Sequence, residues 1–227
     1  GGKKDVTVNR TERGLQVVQH YEFFENCCAV AQYNTVKNTG EKGLPLIRVS
    51  SAYVNIEADT GAMAWDDPRR FRLHWCKSAW AAEGQWKHGT FWDFGMAPAR
   101  PTVNSMTGVA AFRSEGSWST GRYYPLVIVE DLETGCSYFM EHEGGNNWEI
   151  TVGKLGDTVT LECNSADINH DGWHIELAPG EEYHTTRAVY GMVRGGFEEA
   201  VRELTKYKRR TSLVHWKNGA APVCFNC

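Results

Sequence analysis

"YYPLVIVEDLETGCSYFMEH", residues 123–142, decides the fold class. Val127, Ile128 and Val129 form an apolar, β-branched run, too short for a helix and flanked by turn signals. "EDLETG", residues 130–135, carries acids and ends in glycine, the composition of a tight turn. "CSYFMEH", residues 136–142, then resumes an apolar alternation. The stretch reads as strand, turn and return strand, an antiparallel hairpin.

The same reading extends to both sides. Leu15 to Ile56 holds short β-branched and alternating runs, broken by "KNTGEKG" at residues 37–43. "FRLHWCKSAW", residues 71–80, continues in that style. "NNWEITVG" (146–153), "DTVTLECNS" (157–165) and "GWHIELAPGEEYHTTRAVYGMV" (172–193) follow the hairpin, with a turn at Pro179-Gly180. The period changes at Gly195. In "GGFEEAVRELTKYKRR" (195–210), Phe197, Ala200, Val201, Leu204 and Tyr207 fall on one helical face. Glu198 and Glu199 come early and Lys206, Lys208, Arg209 and Arg210 late, which matches the helix dipole. The chain is therefore expected to be mainly β with one C-terminal helix.

Composition excludes several classes. A net charge of −4 gives no footprint for nucleic acid or an anionic membrane surface. No run reaches the ~18 apolar residues of a membrane helix. "GGKKDVTVNR" has no apolar core after its lysines, so it does not read as a secretory leader. Seven cysteines, odd in number and irregularly spaced, point to reduced thiols and a cytoplasmic setting. Nine tryptophans stand out. They either fill a β core or lie against the apolar faces of sugars.

Motif tests for chemistry fail. "DINHDG" (167–172) imitates the start of a calcium loop, but the twelfth position, which must supply a bidentate Glu, is Ala178. His170 and His174 have helical metal spacing in a segment that reads as strand. Cys224 and Cys227 form a lone CxxC without a partner pair. No metal or other cofactor is expected. Adjacent acids such as Asp66-Asp67 point to opposite faces of a strand and are no catalytic pair.

Four segments in order resemble the N-terminal β domain of glycoside hydrolase family 36, the α-galactosidases. They are "FRLHWCKSAWAAEG" (71–84), "FRSEGSWSTGRYYPLVIVEDLETGCSYFMEHEGGNNW" (112–148), "HIELAPGEEYHTTRAVYGMVRGGFEEAVRELTKYKRR" (174–210) and "PVCFN" (222–226). The resemblance implies an antiparallel, galactose-mutarotase-like β-supersandwich over residues 1–194, short of its N-terminal strands. A helix at 195–211 then leads toward a (β/α)8 barrel, whose first strand begins within 212–227. The family's nucleophile and acid/base are aspartates on later barrel strands, so no residue of this chain is catalytic. Trp80, Glu83, Ser117, Trp118, Ser119 and Asn226 are the implied domain-interface or substrate-rim residues. The expected partners are α-galactoside oligosaccharides, bound in the barrel, and further copies of the chain in a homo-oligomer, a tetramer by resemblance. The alternative is a stand-alone carbohydrate-binding β-sandwich.

Overall fold

The computed structural model describes residues 2–57, 70–96, 108–114, 116, 118–155, 158–165 and 167–211. Two antiparallel sheets face each other. The larger is nine-stranded and contains β1 (Lys3–Glu12), β2 (Leu15–Phe24) and β3 (Ala29–Asn38) at one side. The smaller is four-stranded; its edge is β5 (Ser50–Glu57), which follows the short β4 (Leu44–Leu46). β6 (Phe71–Lys77) and β7 (Gln85–Thr90) form the far side of the larger sheet, and β8 (Val109–Ser114) closes the smaller one. The hairpin of β9 (Tyr123–Asp131) and β10 (Cys136–Glu143) lies at the centre of the larger sheet. β11 (Trp148–Leu155) and β12 (Thr158–Asn164) are the middle of the smaller. β13 (Ile175–Leu177) pairs with β4, β14 (Glu182–His184) with β3, and β15 (Arg187–Arg194) joins β3 to β10. The order in the larger sheet is β1-β2-β3-β15-β10-β9-β6-β7, and in the smaller β5-β12-β11-β8.

The hairpin shows why the Val127–Val129 run is continuous rather than alternating. Successive strand residues point to opposite faces. Val127 and Val129 enter the core between the sheets, with Leu73, Met140, Phe112, Ile150, Val152 and Leu161. Ile128 points the other way, into a second core with Phe139, Val189 and the helix α2 (Phe197–Thr211). Both faces of the central strands are covered, so both phases of the alternation must be apolar. Each such side chain contributes about 1.5–3 kcal/mol through removal from water.

Helix α2 is held by its apolar stripe, Ala200, Leu204 and Tyr207, and by a carboxylate hub. Lys208 Nζ lies 2.8 Å from Glu141 and 2.7 Å from Glu143. Arg187 donates to Glu143 at 2.7 Å and to Glu22 on β2 at 2.8 Å. The Tyr207 hydroxyl donates to Glu143 at 3.0 Å. Burial pushes the Glu143 carboxyl up, but Lys208 and Arg187 more than offset it and hold it below the usual range. At Glu141 burial prevails over Lys208 and the carboxyl lies above its usual range.

Two elements differ from the sequence reading. β1 extends the larger sheet by a strand that polar residues had hidden: all ten of its residues are exposed. Residues 168–171, read as strand, form one helical turn, α1 (Ile168–Asp171). Asp167 caps it, accepting from the amides of Asn169 and His170, and Gly172 ends it at φ 67°. Local capping chemistry wins over the flanking strand pattern. Residues 212–227, with Asn226 and the CxxC, lie outside the described residues.

His142 on β10 is buried between the sheets, with Nε2 3.3 Å from the Ser165 hydroxyl. Burial drives its pKa from 6.5 down to about 4, against a small opposing pull from Glu143. The folded ring therefore stays neutral where the unfolded ring already takes a proton. Its contribution to stability is complete above pH 6.5 and is lost as pH falls toward 4. Urea titrations between pH 7 and 4.5 should show unfolding free energy falling, with a slope approaching about 1.4 kcal/mol per pH unit for one proton. His142→Gln should flatten that slope. Burial also lowers the pKa of His74, which leaves a smaller residue of it.

Candidate functional site

Trp80 and Trp118 come together on one exposed face. Their ring centroids are 6.2 Å apart and cross edge-on at 72°. Trp80 is 82% exposed and Trp118 44%. Exposure on this scale is unusual for a residue of this size.

Two loops build this ledge. The first joins β6 to β7. Ala81 takes φ 56° and Gly84 φ 72°, left-handed conformations that turn the chain tightly. The Glu83 carboxylate accepts from the Ala81 amide at 3.2 Å, and the Gln85 side chain donates to Ala82 O at 3.0 Å. Glu83 thus shapes the turn that lifts Trp80.

The second loop precedes β9. The Ser114 hydroxyl donates to Trp118 O at 2.9 Å and the Gly121 amide to the same oxygen at 3.0 Å. A Cβ on Gly121 would meet the Trp118 ring and carbonyl at 3.2 Å, so the indole packs directly on glycine backbone. Ser119 acts through its carbonyl, which accepts from Trp148 Nε1 at 2.6 Å. Trp148 is 1% exposed. The Ser78 amide donates to Arg122 O at 3.0 Å and ties the two loops together. Ser117 lies outside the described residues.

Sequence reasoning missed a neighbouring cluster. Phe197, at the start of α2, lies 4.9 Å from the His74 ring and 4.8 Å from the Trp86 ring, centroid to centroid. The His74 Nε2 is 3.0 Å from Glu130. The cluster fixes the β6–β7 hairpin to the helix. Trp86 stands among the exposed residues Gln85–His88 of β7, and that aromatic in a polar run was the available signal.

Carboxylates elsewhere are engaged in structure. Glu141 and Glu143 have pKa values pushed in opposite directions, the usual signature of an acid/base pair. Here one ammonium bridges both, and Glu143 also holds Arg187 and Tyr207. Both carboxylates are engaged in ion pairs with Lys208. Glu149, Asp167 and His170 offer ligand atoms within 4.8 Å of one another. Glu149, however, pairs with Arg113 at 3.3 Å and Arg48 at 3.7 Å. A cation there would have to displace two guanidinium groups. Burial raises the Asp167 carboxyl, but His170 and the capped amides outweigh it and lower its pKa, consistent with a carboxylate serving as a cap.

No family model and no curated protein matches the chain. Solved structures do. A GH36 α-galactosidase AgaA variant from Geobacillus stearothermophilus, in complex with 1-deoxygalactonojirimycin, superposes with a TM-score of 0.72 at 17% identity over 91% of this chain and 26% of its own. The galactosidase domain of the α-galactosidase–sucrose kinase AgaSK gives 0.71 at 16% identity, over 88% of this chain and 25% of its own. An α-galactosidase from Lactobacillus brevis gives 0.68 at 13% identity, over 92% and 29%. The fold is that of the N-terminal β-sandwich domain of these enzymes. The chain spans about a quarter of their length.

Trp148→Phe keeps most of the buried volume and removes one N–H donor. It should lower stability by about 1–2 kcal/mol and loosen the loop that the bond anchors. The check is limited trypsin digestion, in which cleavage after Arg122 should appear earlier than in the parent chain. An unchanged cleavage rate would show that the bond does not hold the ledge.

Proposed function

We propose that this chain is the supporting β domain of an α-galactosidase-like retaining glycoside hydrolase that removes terminal α-galactose from oligosaccharides. The observation that carries the reading is a likeness that covers nearly all of this chain and only the sandwich portion of the enzymes. Chemistry would reside in a barrel that follows α2, on its aspartates, and the sandwich would contribute no reacting group. AgaA structures exist with raffinose and with stachyose, the substrate class expected here.

The sandwich has two tasks in this reading. It presents the Trp80–Trp118 ledge as the contact for the barrel, and its outer surfaces support a homo-oligomer. Trp80 and Trp118 are the junction residues, and Glu83 and Ser119 shape the loops that carry them. We place the protein in the cytoplasm, where the free cysteines Cys27, Cys28, Cys76, Cys136 and Cys163 remain reduced. A second reading is a stand-alone sugar-binding module. What favours it is the same pair of exposed indoles, since a flat aromatic face suits the C–H face of a pyranose.

The full-length product of the gene should hydrolyse an aryl α-galactoside. In that protein Trp118→Ala should lower the melting temperature and leave KM within about twofold, because a junction residue acts through stability and not through the substrate. Raised KM at unchanged stability would move Trp118 to the substrate rim. No hydrolysis, together with binding of α-galactosides by the sandwich alone, would favour the module.

A further inference from the structure

β1 is the outermost strand of the larger sheet, and all ten of its residues are exposed. Exposure at every residue leaves both of its faces open. Among the described residues its one ladder partner is β2. The Asn34 side chain on β3 donates to Ser50 O at 2.7 Å, which puts the edge of the smaller sheet over β3. β1 and β2 therefore project beyond the sandwich as a two-stranded flange. A long open edge strand is a template for a further strand, and its sequence decides which partner it admits. Here that sequence is KKDVTVNRTE.

The hairpin turn sets which backbone groups face the free edge. Arg13 and Gly14, at φ 49° and 81°, form a two-residue turn of the primed kind. It closes on Glu12 and Leu15, a pair that exchanges both main-chain bonds. Even-numbered residues of β1 therefore bond to β2, as Gly2 does in accepting from the Glu25 amide at 3.1 Å. Asp5, Thr7, Asn9 and Thr11 turn their N–H and C=O groups to the free edge. Side chains follow the same alternation. Phe24 packs on Tyr207 of α2 at the outer face and stands opposite Lys3. The odd residues of β1 are thus outward, and Lys4, Val6, Val8, Arg10 and Glu12 are inward.

We propose that β1 is a self-pairing edge, through which two copies of this chain join by antiparallel β1 strands into one continuous sheet. The two-fold axis is normal to the sheet and keeps each face on its own side, so inward residues meet inward ones. Under that constraint two registers pair nine residues of each strand. One sets Lys4 against Arg10 twice, like charge against like. The other sets Lys4 against Glu12 twice, Val8 against its own mate on the axis, and the Arg10 stem over Val6. On the outward face it sets Thr7 against Asn9 and Asp5 against Thr11. Charge selects this second register. Glu12 is able to respond, since its contact with Arg13 is a loose one of 3.6 Å, with side chains 82% and 91% exposed. The outward pairs exchange about eight main-chain hydrogen bonds, and the inward pairs are the close ones, where side chains interact most. The two β3 strands lie about 24 Å apart, five strand spacings, so the smaller sheets do not meet.

The pairing names the contact for the homo-oligomer of the proposed function and rests on that part of the reading alone. Sedimentation velocity of the 227-residue chain, at up to about 100 μM because an edge contact is small, should show a concentration-dependent dimer. Glu12→Lys, at an exposed position, places like charges opposite each other and should raise the dimer Kd about tenfold. Adding Lys4→Glu to it should restore the dimer. Thr7→Pro removes an edge-facing N–H, leaves the bonds to β2 intact, and should abolish the dimer. A chain that stays monomeric overturns the proposal. So does a dimer indifferent to Glu12→Lys or Thr7→Pro, or one that Lys4→Glu does not rescue. Hydrolysis by the full-length protein is read separately, so failure here leaves the glycosidase reading standing.

Discussion

A buried indole N–H must find an acceptor, and much of this molecule's surface chemistry depends on how Trp148 finds one. Trp148 sits in the core between the sheets, at the start of β11. Its ring is fully desolvated, so an unpaired N–H would cost about 1–3 kcal/mol. The acceptor is Ser119 O, in a loop with no ladder partner of its own. One core hydrogen bond thereby fixes the loop next to Trp118. The Ser114 hydroxyl and the Gly121 amide then fix the Trp118 carbonyl. An exposed aromatic side chain becomes part of a rigid surface because a buried one needs a partner.

The same principle orders the other side of the larger sheet. The outward phase of β10 carries Phe139, Glu141 and Glu143 toward α2, while its inward phase carries Tyr138, Met140 and His142. Glu143 is mostly buried and meets two cations and a phenol. Such a hub does not increase stability much over an apolar contact, but removing one partner is costly. It sets where the helix lies, and through the Phe197 cluster it also sets the β6–β7 hairpin that carries Trp80. Core, helix and ledge are linked by satisfied polar groups.

Much of this was legible in the sequence, for physical reasons. The Val127–Val129 run and the Phe197–Tyr207 stripe are driven by burial, and burial leaves a periodic trace. Trp80 and Trp118 were recognisable as candidates by resemblance, though not as a touching pair, because contacts across 38 residues leave no local pattern. β1 was hidden because its only apolar residues, Val6 and Val8, stand among polar ones in a strand exposed at every residue. α1 was hidden because four residues and an Asp cap are too short a signal beside two strands. Glu83 is a junction candidate by resemblance; that its carboxylate accepts from the Ala81 amide depends on the left-handed Ala81 backbone, which sequence does not display.

In the proposed function the Trp80–Trp118 ledge is a contact between domains of a longer polypeptide. Hydroxyl-radical footprinting read by mass spectrometry measures this residue by residue. In the 227-residue chain both indoles should oxidise rapidly, while Trp148 is protected. In the full-length protein Trp80 and Trp118 should become protected as well. If both oxidise equally fast in the two proteins, the ledge faces solvent in the intact molecule and the domain-contact account is contradicted.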